Sequence, residues 1–260
     1  MNRTTDVSCL ISGSPFRLMT VPFPGLSEQL AALFEEFERA FEYYSSLSSS
    51  LQSQYAILEP GETKPDLGFK ERDPKDGKDD KIIFQYNHEL WELLFPHLRT
   101  LEMRRFCDAA SVLYDLALAR MLEVVQALDE ALDGRFDLFS QSRSHLNHKL
   151  RLNRYRGRSG KLAGDHYDKS FLTGHLGESQ PGFIVKVEGG YHPVVNQPDT
   201  MTVFPGLKAP TATAGRIPLP LYHGATADTA LAEPRMVIAF FLHGPWELYT
   251  RETHVELSGM

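Results

Sequence analysis

Apolar positions in the first half of the chain recur every three or four residues over two long stretches. The first covers residues 26–44, and the second covers about residues 100–132 and is followed by Gly134, a residue type that commonly ends helices. This spacing gathers the apolar side chains on one face of a helix and leaves charged side chains on the other. We therefore predict two amphipathic helices that pack against a core, with Ser27 as the N-cap of the first.

From Lys149 onward, the apolar residues form short runs separated by Gly, Pro, Asn or Asp. The runs read LRLNRY, FLTGHL, GFIVKVEGGYHPVV, TMTVF, IPLPLYHG and RMVIAFFLH. Short strands at regular intervals are typical of a sandwich, a jelly roll or a barrel. Helices gathered against one face of an antiparallel sheet give an α+β fold class. We expect one domain over residues 1–260, with a mainly helical part over 1–148 and a β core over 149–250.

Three shorter segments complete the first half. Residues 16–21 alternate loosely between two prolines and predict a strand. Residues 82–86 predict a strand or the approach to a short helix over 88–95. Residues 60–81 are rich in Pro, Gly and charge, which favours a solvated surface loop over a lid.

Charge, cysteine content and hydropathy exclude several classes of protein. A formal net charge of −7 and a pI near 5.8 oppose nucleic-acid binding, because phosphate neutralisation needs a basic face. Cys9 and Cys107 lack CxxC spacing, which excludes a Cys-rich zinc module or a disulfide scaffold and fits a reducing cytoplasm. The first residues lack the apolar run of a secretory signal, and no window approaches the roughly 20 apolar residues of a membrane span. We expect a soluble cytoplasmic protein that binds neither nucleic acid nor membranes.

Two polar clusters have simpler interpretations than a functional site. His145 and His148 lie three residues apart, but no neighbouring residue completes a metal site, and we expect both to be solvated. A basic strip runs over residues 149–161, and its cations at 154, 156, 158 and 161 either attract an anionic substrate or are merely solvated, the second interpretation being the more usual.

The most informative polar pattern is the segment GDHYDKSFLT, which places His166 and Asp168 two residues apart. In an extended segment, residues i and i+2 point to the same face, so this imidazole and this carboxylate converge. The pair suits a divalent metal, above all the 2-His-1-carboxylate site of non-haem Fe(II) oxygenases, which leaves positions open for O2 and a co-substrate. Such a site needs one more histidine.

The third ligand has to come from a later strand. The downstream histidines are His175, His192, His223, His243 and His254. His223 ends an apolar run, and Arg235 enters the next one. A buried arginine needs a partner because an unpaired interior charge is very costly, and a carboxylate is the natural one. This order describes a pocket that holds a metal-chelating dicarboxylate by both ends.

Six motifs occur in an order that resembles the 2-oxoglutarate- and Fe(II)-dependent oxygenases of the isopenicillin N synthase-like group. The family pattern is N-x-Y, H-x-D, G-L-x-V, V-V-N-x-G-D, a histidine, and R-x-S before two phenylalanines. The matching residues here are Asn153 and Tyr155, His166 and Asp168, 182–185, 194–199, His223, and Arg235 with Phe240 and Phe241. The resemblance covers about residues 150–242, and six motifs in order are much more specific than any one of them.

The resemblance implies a double-stranded β-helix core of the jelly-roll, cupin-like type, supported by the N-terminal helices. It also implies that Fe(II) is bound by His166, Asp168 and His223.

The same resemblance implies that 2-oxoglutarate is bound through its distal carboxylate by Arg235, with help from Tyr155 and Asn153. A core tyrosine and a turn asparagine are the alternatives for the last two. The implied activity is hydroxylation of a small amino-acid-like or natural-product substrate by O2, through an Fe(IV)-oxo intermediate.

Two departures from the family pattern bear on the co-substrate. Val237 stands where the family has Ser, which removes one hydroxyl donor, and the loop after His223 is slightly long. Asp168 is retained, whereas halogenases of similar fold typically have a small residue there, so oxidation is favoured over halogenation. The alternatives are an Fe(II) oxidase of the same fold that does not use 2-oxoglutarate and a non-catalytic ligand-binding β-barrel module. A zinc hydrolase is less favoured, because no nearby Glu is placed as a base.

Overall fold

The computed structural model of the chain describes residues 6–11, 16–58, 65–72, 79–89, 98, 100–157, 160–227 and 231–248. Its helices are α1 (Ser8–Ile11), α2 (Leu26–Ser46), α3 (Ser49–Gln52), α4 (Leu101–Ala131), α5 (Leu138–Ser144) and α6 (Ala209–Ala212). Its strands are β1 (Met19–Pro22), β2 (Ala56–Leu58), β3 (Pro65–Arg72), β4 (Lys81–Tyr86), β5 (Lys149–Tyr155), β6 (Gly160–His166), β7 (Leu172–Glu178), β8 (Phe183–Val187), β9 (Gly190–Pro193), β10 (Thr200–Pro205), β11 (His223–Ala227) and β12 (Met236–Leu242). The mixture of helices and antiparallel strands confirms the predicted α+β class.

Within the described residues, the strands form two antiparallel sheets. The larger has the order β1-β10-β7-β12-β5-β4-β3-β2, and the smaller has the order β6-β11-β8-β9. From β5 to β12 the chain alternates between the two sheets, apart from the hairpin of β8 and β9. That hairpin turns at Glu188 and Gly189, whose positive φ angles of 50° and 83° suit a two-residue turn. Strands β1 to β4 come from the first half of the chain and lengthen the larger sheet.

Helices α2 and α4 and the larger sheet share one apolar core. Leu152 of β5 and Phe240 of β12 are buried there together with Phe106 of α4. Aromatic rings join the two layers: Phe106 lies edge-on to Phe84 of β4 at 4.5 Å and to Phe37 of α2 at 5.3 Å between ring centroids. The predicted amphipathic helices therefore do supply the core, and the sheet gives them every second residue of its strands.

The two long helices are capped differently from one another. Helix α4 begins after Thr100, whose hydroxyl accepts from the backbone N–H of Met103 at 3.4 Å. Helix α2 begins after Gly25 (φ 79°), so the prediction of Ser27 as its N-cap is wrong. Instead, the Ser27 N–H donates to the Asp199 carboxylate at 2.9 Å, and the Ser27 hydroxyl accepts from the Asp199 N–H at 3.0 Å. A carboxylate from the approach to β10 thus satisfies the start of α2.

The segment 60–81, predicted as a solvated loop, contains strand β3, which pairs with both β2 and β4. Leu67 and Phe69 lie two residues apart on either side of Gly68 and are both buried. The Phe69 ring stacks on Tyr44 of α2, with 4.3 Å between centroids. Charged neighbours hide this alternation in the sequence, because the strand has only one apolar face.

Most other predicted elements are confirmed. The helices over 26–44 and 100–132 are α2 and α4, and the strand over 82–86 is β4. The strand predicted over 16–21 begins three residues later, as β1. Of the helix predicted over 88–95, the structure describes only residues 88 and 89, which are helical. No helix in the described ranges is long and apolar enough to cross a membrane.

His148 is 2% exposed, so the prediction that it is solvated is wrong. Its Nε2 donates to the Ser142 carbonyl at 3.1 Å, and its Nδ1 accepts from the His243 N–H at 3.0 Å. Burial, and after it the charge of His145, lowers the pKa of His148 to about 4. The ring is neutral at pH 7 and ties the end of α5 to the end of β12.

Leu113→Ala should lower the free energy of unfolding by about 2–5 kcal/mol, because the side chain is fully buried and its removal leaves a cavity. The matched control is Leu116→Ala on the same helix, where the side chain is 42% exposed and the loss should stay below about 1 kcal/mol. Urea denaturation followed by circular dichroism measures both. Equal losses would contradict the packing of α4 described above.

His148 also predicts a pH dependence of stability. Its folded pKa of about 4 lies below the unfolded value near 6.5, so only the unfolded chain takes up the proton between these pH values. Stability is therefore lost as the pH falls below about 6.5, by about 2 kcal/mol at pH 5 from this residue. His148→Gln should remove this part of the loss in urea titrations at pH 7.5 and pH 5. An unchanged difference between the two pH values would refute the assignment.

Candidate metal centre and its cavity

Two histidines face each other where the smaller sheet ends. His166 is the last residue of β6, His223 is the first of β11, and the antiparallel register pairs the two positions directly. Their ring centroids are 4.5 Å apart. The register thus brings together two imidazoles that are 57 positions apart in the sequence.

The carboxylate of Asp168 lies between the two rings. Its Oδ1 is 3.4 Å from His166 Nε2, and its Oδ2 is 3.5 Å from His223 Nε2. One ligand atom from each residue lies within 4.8 Å of the others, and this group of three is a candidate metal site. The predicted convergence of these three residues is present, with Asp168 and His223 buried and His166 at the surface.

Neighbouring groups fix the orientation of all three side chains. The Nδ1 atoms of His166 and His223 bond the carbonyl oxygens of Gly164 (2.8 Å) and Leu221 (3.1 Å). Because a carbonyl only accepts, both Nδ1 atoms carry the proton, and both Nε2 lone pairs are left for a metal. The Thr173 hydroxyl donates to Asp168 Oδ2 at 2.8 Å. Such supporting bonds hold metal ligands in position before the ion arrives.

Electrostatics keep the carboxylate ionised. Burial opposes the charge of Asp168, but His223 and His166 and the Thr173 hydroxyl outweigh burial and hold the pKa of Asp168 well below its usual range. Burial lowers the pKa of His223. For His166, burial is outweighed by the bond to Asp168, and the pKa is raised. The charged carboxylate and the neutral His223 are in the state that a divalent cation requires, and at His166 a cation would compete with the proton that Asp168 favours.

Strand β5 explains why the cavity beyond this centre is polar. Leu150 and Leu152 face the helical core, whereas Lys149, Arg151, Asn153 and Tyr155 alternate with them and face the other way. The cavity encloses about 520 Å³ of atom-free space, part of it open to solvent, and the metal-site residues lie on its wall. Asn153, Tyr155 and Arg235 all line it, as does Val237.

Arg235 is 1% exposed at the inner end of this cavity. It immediately precedes β12, and its Nη2 forms a short ion pair with Glu178, while its Nε donates to the Gln180 carbonyl at 3.0 Å. Its Nη1 is buried and has no hydrogen-bond partner among the described residues. The guanidinium also lies over the Tyr155 ring, 5.5 Å from the centroid. The carboxylate partner that a buried arginine needs is therefore partly supplied by the protein itself.

Gly182 makes room for this arginine. A Cβ at this position would lie 2.3 Å from the Thr226 carbonyl oxygen and 2.8 Å from Arg235 Nε. The Gly182 N–H donates to Glu178 Oε1 at 3.1 Å, which satisfies the oxygen on the far side of the ion pair. A side chain here would displace Arg235 from the cavity wall.

His175 is a second buried group in the same wall. Burial, and then the charge of Arg235, lowers its pKa to about 3, so the ring is neutral. Asn196 Nδ2 donates to His175 Nδ1 at 2.9 Å, which places the remaining proton on Nε2. Within the described part of the chain that N–H is buried without a hydrogen-bond partner, as is Asn153 Oδ1. Unpaired buried polar atoms are costly, so their presence together in one cavity indicates a polar ligand.

The sequence motifs did not identify Thr173 or Glu178 of β7, and His175 was considered only as a candidate metal ligand. Thr173 and His175 are two apart in an otherwise apolar or small-residue strand, and this alternation could have revealed them. Glu178 is hidden by a bulge, because Ile238 and Ala239 of β12 pair with Gly177 and His175 and skip one residue of β7. The bulge brings Glu178 back to the cavity side.

The predicted basic strip separates into surface ion pairs. Arg154 pairs with Glu38 at 2.9 Å, and Lys161 pairs with Asp165 at 3.1 Å. Arg158 lies outside the described residues. The exposed Lys161 agrees with the solvated interpretation, whereas the Arg154 side chain is only 16% exposed and lies over the Phe41 ring.

Thr173→Val should weaken divalent-metal binding about 10- to 100-fold, because it removes the hydroxyl that holds Asp168 while keeping the size of the side chain. Thr173→Ser retains the hydroxyl and serves as the control. Calorimetric titration with Co(II) measures both affinities. Equal affinity in the two variants would show that this bond does not support the centre.

Solved structures share the architecture. A full-length Neurospora crassa protein in complex with alpha-KG and 5-formyluracil has a TM-score of 0.72 at 16% identity, over 92% of this chain and 78% of that chain. The rice dioxygenase for auxin oxidation has a TM-score of 0.66 at 18% identity, over 92% and 77% of the two chains. A Caulobacter crescentus protein of the 2OG-Fe(II) oxygenase family has a TM-score of 0.68 at 19% identity, over 91% and 79%.

No protein-family model matches the sequence, and no curated protein matches it either. At identities of 16–19%, what these structures establish is the fold. The resemblance predicted from the six motifs is confirmed at that level: the chain has the fold of the 2OG-Fe(II) oxygenases.

Proposed function

We propose that the protein is an Fe(II)- and 2-oxoglutarate-dependent oxygenase that hydroxylates a small molecule. The observation that carries the proposal is one cavity with two ends: an open three-ligand group at one and a buried, incompletely paired arginine at the other. The proposed iron ligands are His166, Asp168 and His223. The proposed groups for 2-oxoglutarate are Arg235, Tyr155 and Asn153, joined by His175.

The donor set fits Fe(II). Two imidazoles and one carboxylate that leave coordination positions open are the arrangement of non-haem Fe(II) oxygenases. The bonds that fix both Nδ1 protons and the Asp168 carboxylate prepare the three ligand atoms. With Fe(II), 2-oxoglutarate and O2 bound, the centre would oxidise the co-substrate to succinate and CO2 and insert the second oxygen atom into a substrate C–H bond.

The inner end of the cavity, at Arg235, has the hydrogen-bond donors to bind a carboxylate. Two buried donors there, Arg235 Nη1 and His175 Nε2, have no hydrogen-bond partner in the described part of the protein. A distal carboxylate of the co-substrate would satisfy both at once, each with a charge-assisted bond. Val237 cannot donate the bond that a hydroxyl residue would supply at that position, and the His175 N–H compensates for it. Glu178 and Gln180 hold the other side of the guanidinium, so that the group is oriented before the ligand binds.

Apolar side chains limit water between the two ends. Phe183 stacks on His175 with centroids 4.4 Å apart, and Phe204 lies 4.9 Å from the His223 ring. Both phenylalanines are buried in the cavity wall. Their exclusion of water strengthens the electrostatic contacts of the bound groups and protects reactive species from side reactions.

The alternation of β5 to β12 between two sheets supports a double-stranded β-helix as the finer description of the core.

A single domain over residues 1–260 stays a prediction, with α2 and α4 as its supporting layer. O2 and a small-molecule substrate are the proposed partners. The absence of nucleic-acid and membrane partners and a cytoplasmic location also stay predictions.

Known structures of this fold differ in their ligands. The Neurospora protein was solved with thymine or 5-formyluracil, and the rice protein is a dioxygenase for auxin oxidation. A shared fold with different small molecules leaves the substrate to be inferred from this chain's own cavity walls.

Arg235→Gln should abolish or strongly weaken 2-oxoglutarate binding, because it removes the charge at the inner end of the cavity. Anaerobic addition of 2-oxoglutarate to the Fe(II)-loaded protein should give a weak visible charge-transfer band in the wild type. The variant should need at least about tenfold more 2-oxoglutarate for the same band.

Arg135→Gln is the matched control, since Arg135 is a surface residue with a 68% exposed side chain beyond the end of α4. It should behave as the wild type. Succinate release under air separates the proposed enzyme from an Fe(II) oxidase that draws all its electrons from the substrate. A wild-type protein that binds Fe(II) but gives neither the band nor succinate would overturn the proposal.

A further inference from the structure

His175 and Thr202 lie opposite each other on neighbouring strands of the larger sheet. Strands β7 and β10 pair antiparallel, and the register places the Cα of Thr202 against that of His175. Residues that are directly opposite point to the same face of a sheet, so the Thr202 side chain lies on the face where His175 lines the cavity. Both residues are buried, and buried polar side chains need partners within the protein or from a ligand.

Asn196 joins these two side chains from the connection between β9 and β10. The Thr202 hydroxyl donates to Asn196 Oδ1 at 3.2 Å, and Asn196 Nδ2 donates to His175 Nδ1 at 2.9 Å. A donor at the carbonyl end of a primary amide and an acceptor at its NH2 end together specify one orientation of the amide. Asn196 belongs to the motif over residues 194–199, for which the metal centre itself provides no role.

The backbone of this connection is held without the Asn196 side chain. The Val194 N–H donates to the Phe183 carbonyl at 2.9 Å, and Asp199 exchanges two hydrogen bonds with Ser27. Both ends of the motif are therefore fixed by other groups. The Asn196 amide is left to act on His175.

The Thr202–Asn196–His175 relay fixes which nitrogen of the imidazole carries the proton. The His175 ring is neutral, and its Nδ1 accepts a bond, so the proton is on Nε2. Phe183 stacks on the ring with 10° between the two planes, which fixes the plane of the imidazole. Within that plane the ring has two orientations, and the bond from Asn196 selects one of them.

The Nε2 proton of His175 lies beside Arg235. Nε2 is 3.9 Å from Glu178 Oε2, the oxygen that pairs with Arg235 Nη2, and this distance is too long for a hydrogen bond. Arg235 Nε donates to Gln180, so Nη1 is the guanidinium nitrogen without a partner among the described residues. A bidentate arginine uses two nitrogens for one carboxylate. With two of the three engaged by the protein, the second bond to a carboxylate falls to His175 Nε2.

We propose that Asn196, oriented by Thr202, is a positioning residue that keeps His175 Nε2 a hydrogen-bond donor, and that this donor makes the inner end selective for 2-oxo acids with a distal carboxylate. With the proton on Nδ1 instead, the Nε2 lone pair would face the carboxylate and repel it. The identity of the ligand rests on the proposed function, whereas the position of the proton on His175 does not.

The first test locates this proton in the metal-free protein without any ligand. Nitrogen-15 NMR of labelled histidines at pH 7 distinguishes the two neutral tautomers, and His175→Phe identifies the His175 signals by their loss. His175 should have the proton on Nε2 in the wild type and should be a mixture of tautomers in Asn196→Leu. Asn147→Leu, at an exposed asparagine, should keep the wild-type signals. An Asn196→Leu variant, folded by circular dichroism, with the proton still entirely on Nε2 would overturn the inference.

The second test compares two ligands of the Fe(II)-loaded protein under argon through the charge-transfer band. These are 2-oxoglutarate and 2-oxopentanoate, which has the same chain length but no distal carboxylate. Asn196→Leu should weaken 2-oxoglutarate binding about tenfold and change 2-oxopentanoate binding less than about twofold. Thr202→Val should weaken 2-oxoglutarate binding by a smaller factor, whereas Thr202→Ser retains the hydroxyl and should behave as the wild type. Equal weakening of both ligands by Asn196→Leu would show general damage to the cavity and contradict the proposed role.

A double-mutant cycle decides whether Asn196 acts through His175. His175→Phe removes the donor and retains a ring against Phe183, and it should weaken 2-oxoglutarate binding about tenfold. In this background Asn196→Leu should cause no further loss. Fully additive losses would overturn the inference. If His175 has the proton on Nε2 but the wild type forms no band with either 2-oxo acid, the positioning of His175 stands, and the co-substrate and the selectivity are refuted.

Discussion

The two-residue period of the central strands is the constraint on which the structure depends. In β5 and β12 alternate side chains, such as Leu152 and Phe240, enter the core below α2 and α4, while intervening ones, such as Asn153 and Val237, line the cavity wall. A shift of one residue in the pairing of these strands would exchange the two sets. It would put Arg151 into the helical core and Leu152 into the cavity. Packing of the core therefore fixes the placement of the polar groups.

The buried polar groups of the cavity destabilise the folded protein, and the packing of the apolar core offsets this loss. Buried donors without partners, such as those of Arg235 and His175, destabilise the folded chain. The ion pair with Glu178 limits this cost by neutralising the arginine, and it leaves one donor unsatisfied within the described structure. A ligand that satisfies the remaining donors binds the folded state alone and so raises its stability. Binding and folding are coupled here through the same few atoms.

The two long helices and the three candidate metal ligands could be predicted from the sequence, whereas several buried polar residues and one strand could not. Helical periodicity located α2 and α4, and motif order identified His166, Asp168 and His223 as a group. Glu178 was missed because a bulge in β7 breaks the two-residue count. Strand β3 was not predicted because its few apolar residues stand among charged ones. The burial of His148 was not predicted because its hydrogen-bond partners come from α5 and from the residue after β12. These features depend on contacts between distant segments, which local patterns do not record.

The extension of the larger sheet has a consequence for how such a protein diverges. Lys81 of β4 and Arg72 of β3 line a cavity that also touches His166 and Asp168, and both strands lie outside the alternating strands β5–β12 that carry the candidate metal centre. Substitutions on this flank would change the lining of that cavity and leave the proposed metal ligands in place. The chemistry of that cavity and the geometry of the candidate metal centre are therefore determined by different segments of the chain.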